Sequence, residues 1–182
     1  MLFRSRMISW LIFVWFSFVS TLFATTNVTS SAIDLTRKSA CALDGMILMD
    51  YSGPKAQILW KDGKRTYYCD TTEGFSVWLD PIQQERIKAF YVQNYDNAPW
   101  DAYKGRWVDA KDPWYVINSK KLGAMGVSYI PFLQKKDAIS FQKKYGGKLL
   151  QFKQITATVL ANTEKLSREQ PSMYGPQHKK MH

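Results

Sequence analysis

The strongest constraint on this chain is an order of short elements that it runs through twice. In the first pass, "AQILW" and "RTYYC" are brief, apolar and rich in aromatic or β-branched residues. Between them stands "KDGK", whose Asp-Gly pair tolerates the positive φ of a hairpin turn. "DTTEGFSVWLDP" then opens with Asp70 and carries Glu73 three residues later, the signature of a reciprocal helix cap. Thr71, Phe75 and Trp78 share one face of that helix, and Pro81 is expected to stop it. "RIKAFYVQNY" follows as a strand. The second pass uses "RWVDA", "PWYVINS" and "AMGVSYIPFL" as strand pieces, "KKDAISFQKKYGG" as a helix ended by Gly146, and "KLLQFK" as the last strand.

The expected fold is therefore α+β, with two similar ββαβ lobes in tandem over 33–97 and 98–154. The turn-rich stretch "DNAPWDAYKG" supplies the boundary, and Gly45-Met46 and Met125-Gly126 recur near the start of each half. Residues 155–182 form a C-terminal helix and a flexible tail. The helix carries Ile155, Val159 and Leu166 on one stripe, and the tail "PSMYGPQHKKMH" ends in Met and His.

What precedes the first lobe bears on location. Arg4 and Arg6 introduce an uncharged apolar run from Met7 to Ala24, followed by small and polar residues, the pattern of a secretory signal peptide. Its end falls between Ala24 and Ala32. The rival reading is an uncleaved anchor, since the run is close to the lower limit of about 17 residues for crossing a bilayer. "KSAC" before Cys41 is a poor lipid-attachment site, so the mature protein is expected to be soluble in the periplasm. Removing two arginines and no acid takes the formal charge from +10 to +8. Export argues against nucleic acid as the basic chain's partner. It leaves solubility, a loose affinity for anionic membrane surfaces, or an acidic protein partner.

Catalytic motifs are absent. The chain has no phosphate-cradling glycine loop, no Gly-x-Ser-x-Gly elbow and no His-Glu-x-x-His helix. His178 and His182, its only histidines, lie in the tail, which excludes a rigid Ser/His/Asp triad. Asp109 and Asp112 carry no mark of a catalytic dyad. No enzymatic activity is expected. A redox enzyme working through two thiols would also lack a Cys-x-x-Cys.

Sulfur is the remaining chemistry. Cys41 and Met46 sit in "CALDGM", and Cys69 ends the strand "RTYYC". Thiolate and thioether are soft ligands that suit Cu(I). Met49, inside an apolar strand, reads as core filler, whereas Met46 and Met125 each stand beside a glycine at a strand edge. Three roles fit Cys69: disulfide partner of Cys41, second thiolate, or small buried apolar residue. The oxidising periplasm favours the disulfide on cysteine count alone.

The ordered set "CALDGM", "AQILWKDGKRTYYCD", "WVDAKDPWYVINS", "AMGVSYIPFL", "AISFQKKYGG" and "KLLQF" resembles the NosL family, accessory proteins of nitrous oxide reductase maturation. The resemblance runs from Cys41 to about Phe152. The family's opening pattern is Cys-x-x-Cys-Gly-Met, and the second cysteine is Asp44 here.

The resemblance implies repeated ββαβ units and an exported Cu(I)-binding metallochaperone. It implies delivery to a client cuproenzyme, nitrous oxide reductase, with the help of a membrane transporter complex. Mapped by motif, the metal ligands are Cys41, Met46 and Met125, with Asp44, Cys69, His178, Met181 and His182 as secondary candidates. The alternative is a disulfide-stapled periplasmic module that docks on a membrane assembly complex.

Overall fold

The computed structural model describes residues 31–96, 98–100 and 106–169. The leader up to residue 30 and the tail with His178, Met181 and His182 lie outside the described residues. No helix among the described residues is long and apolar enough to cross a membrane.

The "KDGK" turn joins β1 (Ala56–Trp60) to β2 (Arg65–Tyr68) as an antiparallel hairpin, with Gly63 at φ +87°. Helix α1 (Thr71–Leu79) follows at once. Asp70 accepts the Thr72 N–H through its side chain, and Glu73 reaches back to the Asp70 N–H, so the expected reciprocal cap is present. Pro81 acts otherwise than expected. Helix α1 already ends at Leu79, and Pro81 is the first residue of a short second helix, α2 (Pro81–Gln84), capped by Asp80. Proline suits that place because its missing N–H would be unpaired there anyway.

Strand β3 (Ile87–Gln93) returns alongside β1. The next strand, β4 (Trp107–Asp109), pairs with β3, giving an antiparallel sheet of order β2-β1-β3-β4.

The second sheet contains β5 (Trp114–Ile117), β8 (Ile130–Phe132) and β9 (Lys148–Gln151) in the order β8-β5-β9, with α3 (Lys135–Tyr145) between β8 and β9. Gly146 ends α3 at φ +73°, as expected. "AMGVSYIPFL" is not one strand. It is divided between β7 (Gly126–Val127), which pairs with β6 (Leu122–Gly123), and β8. Ser128 lies in the break, buried, and donates a hydrogen bond to Asp70 Oδ1 at 2.9 Å. That bond ties the hairpin to the cap of α1.

The two sheets share one core. Phe75 of α1 is fully buried and touches Phe90 of the first sheet and Tyr115 of the second, ring centroids 5.3 and 5.2 Å away. Tyr129 and Phe152 complete its surroundings at 5.5 Å each. Gly74 lets α1 approach the sheet: a Cβ there would lie 2.7 Å from the Ala56 Cβ.

Helix α4 (Ala157–Glu169) closes the fold, but not on the expected stripe. Ile155 is buried just before the helix begins, Leu160 and Thr163 face inward, and Leu166 is exposed. Thr163 replaces an apolar contact because its hydroxyl is paired, at 3.1 Å from the Tyr129 hydroxyl and 2.9 Å from Asn118 Oδ1.

Candidate metal centre

"CALDGM" folds as a tight turn laid against the edge of the first sheet. The Cys41 N–H donates to the Met46 carbonyl at 2.8 Å, and Gly45 supplies the positive φ of +78° that the turn needs. Asp44 accepts the Met46 N–H at 2.9 Å. Cys41 forms a parallel bridge with Tyr67, and the Ala42 N–H donates to the Tyr67 carbonyl at 2.8 Å. The bridge brings Cys41 beside the end of β2, where Cys69 stands at the elbow into α1.

Both thiols meet one carboxylate oxygen. Glu73 Oε2 accepts from Cys41 Sγ at 3.4 Å and from Cys69 Sγ at 3.3 Å, and takes the Asp70 N–H at 3.3 Å. One ligand atom from each of Cys41, Asp44, Cys69 and Glu73 lies within 4.8 Å of those of the other three. Two sulfurs at such a separation can flank one ion with bonds of about 2.3 Å. Both cysteines are free thiols here, so the sulfurs of the alternative disulfide are neighbours without a bond.

Electrostatics favours protonated thiols while no cation is present. Burial pushes the thiols of Cys41 and Cys69 above their ordinary range, and the Glu73 carboxylate adds to the rise. Burial likewise raises the carboxyls of Glu73 and Asp70. Lys55 is the one fully buried cation among the described residues. Its Nζ donates to the carbonyls of Cys69, at 3.0 Å, and Ser52, at 3.1 Å. A soft cation entering between the sulfurs would displace their protons and reverse the local charge balance. Thiolates beside an oxygen donor suit a soft or borderline ion, not a hard one.

The structure thus brings Cys41, Asp44 and Cys69 together. Met46 is half-buried and packs against the cluster that contains Cys41 and Cys69. Met125 stands between β6 and β7, at the rim of a groove that Glu73 also lines. Glu73 is the member sequence reasoning missed. It was legible as a cap, and capping is what turns its carboxylate back toward Asp70 and the neighbouring Cys69.

The NosL family profile matches residues 32–160. The copper-binding lipoprotein NosL of Stutzerimonas stutzeri is 32% identical over 121 residues, 66% of this chain and 63% of that protein. Its namesake from Achromobacter cycloclastes is 30% identical over 125 residues, 65% of each chain. This chain therefore spans somewhat less than two thirds of the length of these curated relatives. The crystal structure of the copper chaperone NosL from Shewanella denitrificans superposes with a TM-score of 0.67 at 34% identity, over 70% of this chain and 97% of that one. With the profile spanning residues 32–160, well over half of its length, this chain belongs to the NosL family.

Proposed function

We propose that this protein is an exported, non-enzymatic carrier of Cu(I) that hands the ion to a client cuproenzyme, with nitrous oxide reductase as the client. The observation that carries the reading is the convergence of Cys41 Sγ and Cys69 Sγ on Glu73 Oε2. Further support comes from relatives named for copper binding and from a solved structure named a copper chaperone. Export is supported by the apolar leader and by the lipoprotein names of those relatives.

In this reading the ion is cargo. Cys41 and Cys69 supply thiolates, and the thioethers of Met46 and Met125 add selectivity for Cu(I) without more negative charge. Asp44, exposed on the turn, and Glu73 give the rim a charge that attracts the cation. Capture exchanges thiol protons for copper, and transfer to a client reverses the exchange one ligand at a time.

The test is an anaerobic Cu(I) titration against a colorimetric chelator. One ion per chain is expected, with Cys41→Ser losing most of the affinity. Unchanged stoichiometry and affinity in Cys41→Ser would remove Cys41 from the site. A second reading, a Cys41–Cys69 staple in an interaction module, is favoured only by the closeness of the sulfurs. A thiol count on protein taken from the periplasm separates the two. Two reactive thiols after copper removal fit the carrier, and none fits the staple.

A further inference from the structure

One buried charge in the fold has no counter-charge in contact with it. Lys55 follows Pro54 and leads into β1, and it is fully buried. Gln93, also fully buried, fixes its backbone from β3. Gln93 Oε1 accepts the Lys55 N–H, and the Lys55 carbonyl accepts the Gln93 N–H, each at 3.1 Å. The Lys55 ammonium donates to two main-chain oxygens, that of Cys69 at 3.0 Å and that of Ser52 at 3.1 Å.

No carboxylate among the described residues comes within ion-pair distance of it; the ion pairs there join Lys64 to Asp62 and Lys165 to Glu169. Asp70 is fully buried too, but its Oδ1 accepts the Thr72 N–H and the Ser128 hydroxyl, both at 2.9 Å, and its Oδ2 takes no hydrogen bond. Burying an ammonium against main-chain carbonyls alone is unfavourable. Its place is informative. It is anchored on the carbonyl of a sulfur-bearing residue, and burial disfavours its charge while the negative charges of Asp70, Cys69 and Glu73 favour it.

The charge of the loaded centre depends on the ion. Two thiolates around a monovalent ion carry one net negative charge, and two thiolates around a divalent ion carry none. Glu73 is common to both. A fixed ammonium behind Cys69 therefore stabilises the first and is nearly indifferent to the second. Softness of the donors does not make this distinction, because thiolates also hold Zn(II) well.

We propose that Lys55 is a specificity-determining residue, whose fixed positive charge favours a monovalent ion between Cys41 and Cys69 over a divalent one. This rests on the carrier reading above and deepens it. The sulfurs supply affinity, and the buried ammonium supplies preference for monovalent cargo. It does so from outside the ligand shell, through the field at the ion.

The test compares Cu(I) and Zn(II) affinities of the full-length protein, each by anaerobic chelator competition. Lys55→Met keeps the length of the side chain and removes its charge. Cu(I) affinity is expected to fall about tenfold more than Zn(II) affinity, the effect of one unit charge several ångströms away at an effective dielectric constant of about 20. Lys55→Arg keeps the charge and should keep the ratio of the two affinities. Ser52→Asp, at a half-buried position, sets a carboxylate near the ammonium and should lower the ratio in the same direction as Lys55→Met. Where Lys55→Met does not fold, Ser52→Asp decides. A merely structural Lys55 would weaken both ions alike when replaced. Equal losses for Cu(I) and Zn(II) in Lys55→Met, an unchanged ratio in Ser52→Asp, or a ratio that falls as far in Lys55→Arg as in Lys55→Met overturns the proposal and leaves the carrier reading in place. No Cu(I) binding by wild type overturns both.

Discussion

Cys41 Sγ and Cys69 Sγ donate to the same oxygen, Glu73 Oε2, at 3.4 and 3.3 Å. That oxygen also accepts the Asp70 N–H at the start of α1. One side chain thereby serves a helix cap and the thiol pair. Two substitutions separate the tasks. Glutamine at the third helical position also completes a reciprocal cap, so Glu73→Gln should leave the melting temperature nearly unchanged. Glu73→Ala loses the cap and should lower stability by about 1 kcal/mol, roughly 2–4 °C for a domain of this size. Thermal denaturation of the copper-free proteins measures both. Equal losses in the two variants would contradict the capping role.

Copper affinity should rise with pH. Burial holds both thiols above their ordinary range, so at neutral pH each is protonated and each must release a proton on binding. The logarithm of the apparent affinity then climbs by about two per pH unit below the thiol range. Cys41→Ser leaves one thiol and a slope of about one. The check is competition titration between pH 6 and 8. A slope near one in wild type would show a single thiolate ligand.

Phe75 unites the two sheets, so its removal should be felt globally. It is fully buried and meets Phe90, Tyr115, Tyr129 and Phe152. Phe75→Ala should cost about 3–5 kcal/mol, from lost transfer energy and the cavity left behind. Chemical denaturation monitored by tryptophan fluorescence reads this out. A loss below 1 kcal/mol would mean that the core collapses around the gap.

Gly74→Ala sets two effects against each other. Alanine favours the helix by about 1 kcal/mol. The new methyl would lie 2.7 Å from the Ala56 Cβ and 2.8 Å from Phe90 Cε2. The first atom is fixed by the β1 backbone and the second belongs to a packed ring, so neither gives way cheaply. Overpacking of this kind costs about 1–3 kcal/mol. A net loss of up to about 2 kcal/mol is expected from these two terms, measured by the same denaturation. A stabilised variant would refute the close approach of α1 and β1.

What could be read from the sequence divides along the range of the interactions. The "KDGK" hairpin, the cap of α1 and the glycine end of α3 depend on residues within a few positions of each other, and all three appear as expected. The pairing of β4 with β3 rests on a register, Tyr91 with Asp109, that no local pattern encodes. The break at Ser128 was hidden for a related reason. Its hydrogen bond goes to Asp70, 58 positions away. On α4, the sequence pattern points to an apolar stripe, yet the buried position beyond Leu160 is the polar Thr163, whose hydroxyl finds partners in Tyr129 and Asn118.

The site follows the same division. Cys41 and Met46 were marked by "CALDGM", where soft donors stand beside a glycine turn. Cys69 joins Cys41 only because of the parallel bridge between Cys41 and Tyr67, a contact across 26 positions. Glu73 was in view as a cap, and its second task follows from where that cap points.

In the proposed carrier, Cys41 and Cys69 together hold the copper. Copper K-edge X-ray absorption on the Cu(I)-loaded protein tests it most directly. An inner shell dominated by sulfur is expected in wild type, with a sulfur lost in Cys41→Ser and also in Cys69→Ser. A wild-type shell of nitrogen and oxygen alone, or a sulfur shell unchanged by both substitutions, would contradict it.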